Sequence, residues 1–168
     1  MYWDGTGKNP THCAKLRWKW SILTDKFGIP IGFVAVGANR NGSVLLKPTL
    51  ESVNEFGLIE YIETNWLNRG YDLNLTEELL DDFGITDWVI AKKSKGQSGA
   101  AKSTQPMGLR WPVERGNSWL SNFAQLRRKT DRKIVHRISQ LALAIVFIFT
   151  AELTDWKNRW SPLPSPIC

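Results

Sequence analysis

Two apolar runs joined by four residues of turn chemistry constrain this chain more than any other feature. Lys19 to Thr24 and Ile29 to Val36 flank Asp25-Lys26-Phe27-Gly28, and a glycine closing so short a connection predicts an antiparallel hairpin. A lone hairpin is marginal in water, so the remaining elements must cover it. Gly37-Ala38-Asn39-Arg40-Asn41-Gly42 reads as a loop. Ser43 reads as the N-cap of a helix reaching Glu55, with Val44, Leu45, Leu50 and Val53 on its apolar face and Pro48 as an interior kink. Gly57 ends that helix, and Tyr61 to Leu67 supplies a third strand. Leu75 to Phe83 is a short amphipathic helix, with Thr76 as its cap and Gly84 as its stop. Trp88 to Ala91 is a short strand, apolar enough to be buried, and two helices follow over about 112–129 and 132–152. The order β-β-α-β-α-β-α-α predicts an α/β sandwich, a mixed sheet flanked by helices.

Charge divides the same chain. Residues 51–87 are acid-rich, whereas from Lys92 to Arg137 the acids are Glu114 and Asp131 among twelve Lys and Arg residues. With a net charge of +6 and a pI near 9.5, that asymmetry favours a polyanionic partner on one side of the molecule. Residues 92–108, rich in Lys, Ser, Gly and Gln, read as a basic linker, and 153–168 as a Pro-rich tail. Cys13 and Cys168 have no metal-ligand spacing, which points to a reducing cytoplasm. The start Met1-Tyr2-Trp3-Asp4 has no signal-peptide pattern. Leu141 to Ala151 is strongly apolar but about half the length of a membrane span, so a buried core helix and no membrane contact are expected. His12 and His136 read as surface histidines, and Asp25 as a structural turn residue.

Glu114 lies in Arg110-Trp111-Pro112-Val113-Glu114-Arg115, with Pro112 suited to the first turn of a helix. Read alone, such an acid is either a cation ligand beside a phosphate backbone or a surface ion pair. Further motifs accompany it in order. They are Gly7-Lys8-Asn9-Pro10-Thr11 with Lys15, Ser21-Ile22-Leu23-Thr24-Asp25 with Gly28-Ile29-Pro30-Ile31-Gly32, Gly37 to Ser43 followed by Leu46, Pro48 and Thr49, and Leu67-Asn68-Arg69-Gly70-Tyr71-Asp72. Together with Trp119-Leu120 and Leu126-Arg127, this set resembles the DDE transposases of bacterial insertion sequences from about Gly7 to Ala151.

The resemblance implies a ribonuclease H-like domain over residues 1–152, with its first strand missing or incomplete. It also implies three carboxylates holding two Mg²⁺ ions, one activating the attacking oxygen and one stabilising the leaving oxygen. Glu114 matches the third acid, and Asn68 occupies the position of the second, where an amide supplies no charge. Asp4, in Asp4-Gly5-Thr6, is a candidate for the first acid, although the adjoining motif places it in the loop after that strand; otherwise it is a turn residue. Asp72 is either a further metal ligand or the cap of the helix beginning near Leu75. Arg110 and Arg115 would contact phosphate, and Arg127, Arg128, Lys129, Arg132 and Lys133 would face DNA. The expectation is a truncated, catalytically degenerate transposase. The competing readings are a chain still catalytic through Asp4, Asp72 and Glu114, and a non-catalytic DNA-binding module that pairs with itself, transposon ends or an intact transposase.

Overall fold

The computed structural model describes residues 6–9, 16–71, 74–90, 111–128 and 133–160. Gly7–Lys8 (β1), Leu16–Thr24 (β2) and Pro30–Gly37 (β3) form an antiparallel sheet in that order. The hairpin is the one expected, with Trp18 opposite Gly37 and Ile22 opposite Phe33. Asp25 closes its turn: one carboxylate oxygen accepts the N–H groups of Phe27 and Ile29 at 2.9 and 2.8 Å. Gly28 makes the turn possible with φ +86°, a region side-chain-bearing residues avoid.

Each face of the hairpin is covered by helices, and alternation along β2 decides which residue serves which core. Leu46–Glu55 (α1) packs on one face, where the bare backbone of Gly32 lets Val53 and Thr49 approach. Leu46 and Leu50 gather Leu67, Leu80, Ile85 and Ile90, with Leu23 packed against them. The other face carries Trp111–Asn122 (α3), Ala124–Arg128 (α4) and Ile134–Trp160 (α5). There Ala35, Leu120, Leu126, Leu141, Ala144 and Ile148 form a second core, against which Trp20, Ile22 and Phe33 pack. Asn65–Leu67 (β4), Asn74–Asp82 (α2) and Trp88–Ile90 (β5) complete the chain, with β4 and β5 paired in parallel as a separate two-stranded sheet. The α/β class is as expected, but in place of one mixed sheet the described strands form two small sheets, one antiparallel and one parallel.

Several local expectations are corrected. Ser43 opens a 3₁₀ turn and does not cap α1, whose N-terminal side has no side-chain cap. Pro48 falls in the first turn of α1, where its missing N–H has no intrahelical partner to lose, so it causes no kink. Residues 59–61 form another 3₁₀ turn, leaving β4 three residues long. Thr76 is buried within α2 and is not its cap. The penultimate helix breaks at Phe123, and α5 continues to Trp160, beyond the expected end at 152. In β5, Ile90 is buried while Val89 is exposed, so this strand is not fully enclosed. The expected core helix at 141–151 buries one stripe, Leu141, Ala144 and Ile148, while Leu143, Val146, Phe147 and Phe149 are exposed. Over Ile134–Asp155 that helix is long and apolar enough to cross a membrane by length and composition alone. The linker 92–108 and residues 161–168 lie outside the described residues.

Candidate functional site

Local geometry brings two of the singled-out positions to one cleft. Glu114 lies in the first turn of α3, where a negative charge suits the helix dipole. Asn68 directly follows β4. Both line a cleft of about 490 Å³ bounded by Lys19 to Leu23 of β2, by Leu45, Leu46, Thr49 and Leu50 on the α1 side, by Trp66 and Leu67 of β4, and by Val113 and Asn117 of α3.

The polar groups inside are largely committed to one another. Trp20 donates its indole N–H to Asn117 Oδ1 at 2.9 Å, tying β2 to α3. Thr49 Oγ1 lies 2.9 Å from Ser21 Oγ and 2.6 Å from the Leu45 carbonyl oxygen, to which it donates. Tyr71 also meets the Ser21 side chain; burial raises its hydroxyl pKa, with the Ser21 hydrogen bond acting in the opposite direction. The Asn68 side chain is equally occupied, since its Oδ1 accepts the Gly70 N–H at 2.8 Å and shapes the following turn. Glu114 is exposed, and among the described residues no ion pair involves it.

A pair of Mg²⁺ ions needs several anionic oxygens converging from different elements. Among the described lining residues Glu114 supplies the carboxylate, Asn68 spends its amide oxygen on a turn, and no group of three or more His, Cys, Asp or Glu is close enough to hold a metal. The described donor set does not fit two metals. Asp4 and Asp72 lie outside the described residues.

The basic residues divide by environment. Arg115 is partly exposed and engaged within the protein: its guanidinium lies 4.2 Å from the Trp119 ring centre and 5.1 Å from that of Trp111. It also donates to the Phe27 carbonyl oxygen at 3.0 Å and meets Glu152 at 3.4 Å. Arg137, at the end of the basic stretch, is 0% exposed. It donates to the Leu126 carbonyl oxygen at 2.8 Å and stacks 5.1 Å from the Trp20 ring centre. Arg127 and Lys133 are exposed and available to a polyanion. Arg110, Lys129 and Arg132, and the side chain of Arg128, lie outside the described residues.

Sequence reasoning missed the Ser21–Thr49–Tyr71 cluster and the structural use of Arg115 and Arg137. For Arg115 a signal was present, because Trp111 and Trp119 stand four residues to either side of it on one helix face.

The chain is 32% identical over 133 residues to a protein of Burkholderia cepacia assigned by name as a transposase for insertion sequence element IS402. The match covers 76% of this chain and 60% of that protein, so the chain spans less than two thirds of the relative's length. No family model matches, and no solved structure matches. The kinship read from the motifs, to insertion-sequence transposases, is thus shown.

Proposed function

We propose, from this kinship with insertion-sequence transposases, that the chain is a catalytically degenerate DDE-type domain with a ribonuclease H-like layout whose remaining activity is association with DNA in the cytoplasm. The observation that carries the reading is the content of the cleft. Glu114 sits at the helix start where the resemblance implies the third acid, yet its described neighbour at the second position is Asn68, whose oxygen is held by Gly70. One carboxylate cannot offset the repulsion between two divalent ions, so the phosphodiester chemistry implied by the resemblance has no described cradle. DNA association needs only the exposed cations. Arg127 and Lys133 belong to a stretch carrying far more basic than acidic residues, and such surfaces read phosphate, not base sequence. Transposon ends or an intact transposase are the natural context for such binding.

Two assays on the full chain test this. Duplex binding should weaken linearly in log–log terms with salt, each neutralised phosphate contributing about 0.9 to the slope. Arg127→Ala and Lys133→Ala should each lower that slope by about 1. Supercoiled plasmid with Mg²⁺ or Mn²⁺ should remain intact. Metal-dependent nicking that disappears in Glu114→Ala would overturn the degenerate reading.

A further inference from the structure

We infer that the end of the hairpin opposite its turn carries one continuous surface for the backbone of duplex DNA, running from Arg127 and Lys133 across the sheet to Arg17, Lys19 and Arg40. This surface presupposes the DNA-contact reading above and extends it to residues far outside the basic stretch that the sequence marks.

Two arginines fix the direction of α5 along the sheet. At the turn end, Arg115 joins the Phe27 carbonyl oxygen to Glu152. At the other end, Arg137 stacks on Trp20 and donates to the Leu126 carbonyl oxygen, while its backbone N–H bonds the Lys133 carbonyl oxygen at 3.3 Å. The first turn of α5 therefore lies at the far end of the hairpin, and the helix runs about 27 Å from Ile134 to Glu152. Arg127 directly follows Leu126, so the buried Arg137 gathers both exposed cations around Trp20. Lys19 is the chain neighbour of that tryptophan. Alternation sends Trp20 and Ile22 to the α5 core and Arg17 and Lys19 to the opposite face. The loop after β3 meets them there. Ala38 N–H bonds the Arg17 carbonyl oxygen at 3.0 Å, and Lys19 Nζ donates to the Arg40 carbonyl oxygen at 3.4 Å.

Charge follows the same axis. Arg40, Arg127 and Lys133 are exposed and Arg17 and Lys19 half-buried, and among the described residues no ion pair engages any of the five. Acids of the hairpin and of the helices on its α5 side stand at the turn end: Asp25 in the turn, Glu114 in the first turn of α3 and Glu152 beside Arg115. With a Debye length of about 8 Å at physiological salt, acids so far along the sheet leave the field of the other end uncancelled. Cations gathered from β2, the loop after β3, α4 and the start of α5, without counter-charges, are the electrostatic footprint of a phosphate backbone.

The test follows duplex binding by the full chain as a function of salt. Arg17→Gln and Arg40→Gln should each lower the log–log slope by about 1, as Arg127→Ala and Lys133→Ala should, whereas Lys26→Gln, in the turn, should leave it unchanged. Amine acylation read by mass spectrometry checks the unaltered protein: saturating duplex should slow modification of Lys19 and Lys133 several-fold and spare Lys26. A slope that falls for Arg127→Ala and Lys133→Ala but not for Arg17→Gln and Arg40→Gln overturns the extended surface and leaves the DNA-contact reading standing. The reverse pattern also overturns it, because the surface would not be continuous. An equal effect at Lys26 would mean that binding follows net charge and not this end of the molecule. If none of these variants lowers the slope, the DNA-contact reading falls as well.

Discussion

At the residue scale, glycines show where close approach governs the fold. Gly28 sits at φ +86°, and a Cβ there would lie 2.8 Å from the Pro112 carbonyl oxygen. Facing it, a Cβ on Gly116 would lie 2.8 Å from the Gly28 carbonyl oxygen and 3.0 Å from Thr24 Cγ2. The hairpin turn therefore rests directly on the first turns of α3, and it is this contact that fixes where Glu114 stands. Gly57 also has positive φ, +66°, but nothing would meet its Cβ within 4 Å. The pair separates backbone strain from crowding. Gly57→Ala should cost about 1–2 kcal/mol, the left-handed penalty alone. Gly28→Ala should cost about 1–3 kcal/mol more, through overpacking against α3. Urea denaturation of the two variants measures the difference, and equal losses would show that the turn does not bear on α3.

At the element scale, one arginine of α3 reaches four partners. Arg115 links its own helix to the hairpin through the Phe27 carbonyl oxygen and to α5 through Glu152, while Trp111 and Trp119 stack on either side. Its ion pair is partly exposed, so Glu152→Gln should cost less than about 1 kcal/mol. Arg115→Ala removes the stacking and the carbonyl bond as well and should cost about 2–3 kcal/mol. Its DNA affinity, measured well below the unfolding midpoint, should stay within about twofold; a loss comparable to that of Arg127→Ala would return Arg115 to the phosphate-contacting set. This is where the sequence was least legible. The hairpin and both short helices followed from periodicity and turn chemistry, which are local, while the expectation that Asn68 and Glu114 share a site came from the resemblance, and both line one cleft. The direction of Arg115 and the burial of Arg137 depend on which aromatic face lies nearby, a tertiary fact that a count of charges along the chain does not carry. The same limit explains Thr76 and Pro48: a residue's type marks a helix end, but whether the end falls there is decided by where the buried stripe begins.

At the scale of the whole molecule, the two cores leave one long surface of α5 exposed among the described residues. The stripe Leu141, Ala144 and Ile148 seats α5 on the hairpin, while Leu143, Val146, Phe149 and Leu153 project from its other sides into solvent. A contiguous apolar surface of this kind is uncommon on a soluble monomer and binds apolar dyes or partners. Phe147 is distinct, because its ring stacks 6.4 Å from that of Phe123 and so helps hold the break between α3 and α4 against α5. Val146 and Leu153, 59% and 52% exposed, make no such contact and report on the open face. The double variant Val146→Glu, Leu153→Lys should therefore lower the fluorescence of an added apolar dye such as anilinonaphthalene sulfonate. It should change folding stability by less than about 1 kcal/mol, since exposed substitutions away from special contacts typically stay within 0.5 kcal/mol each. Dye titration and urea denaturation on the same samples give both readouts. A stability loss of several kcal/mol with dye binding unchanged would mean that this face of α5 is packed in solution, and that the hairpin and α3–α4 are not the whole of what α5 rests against.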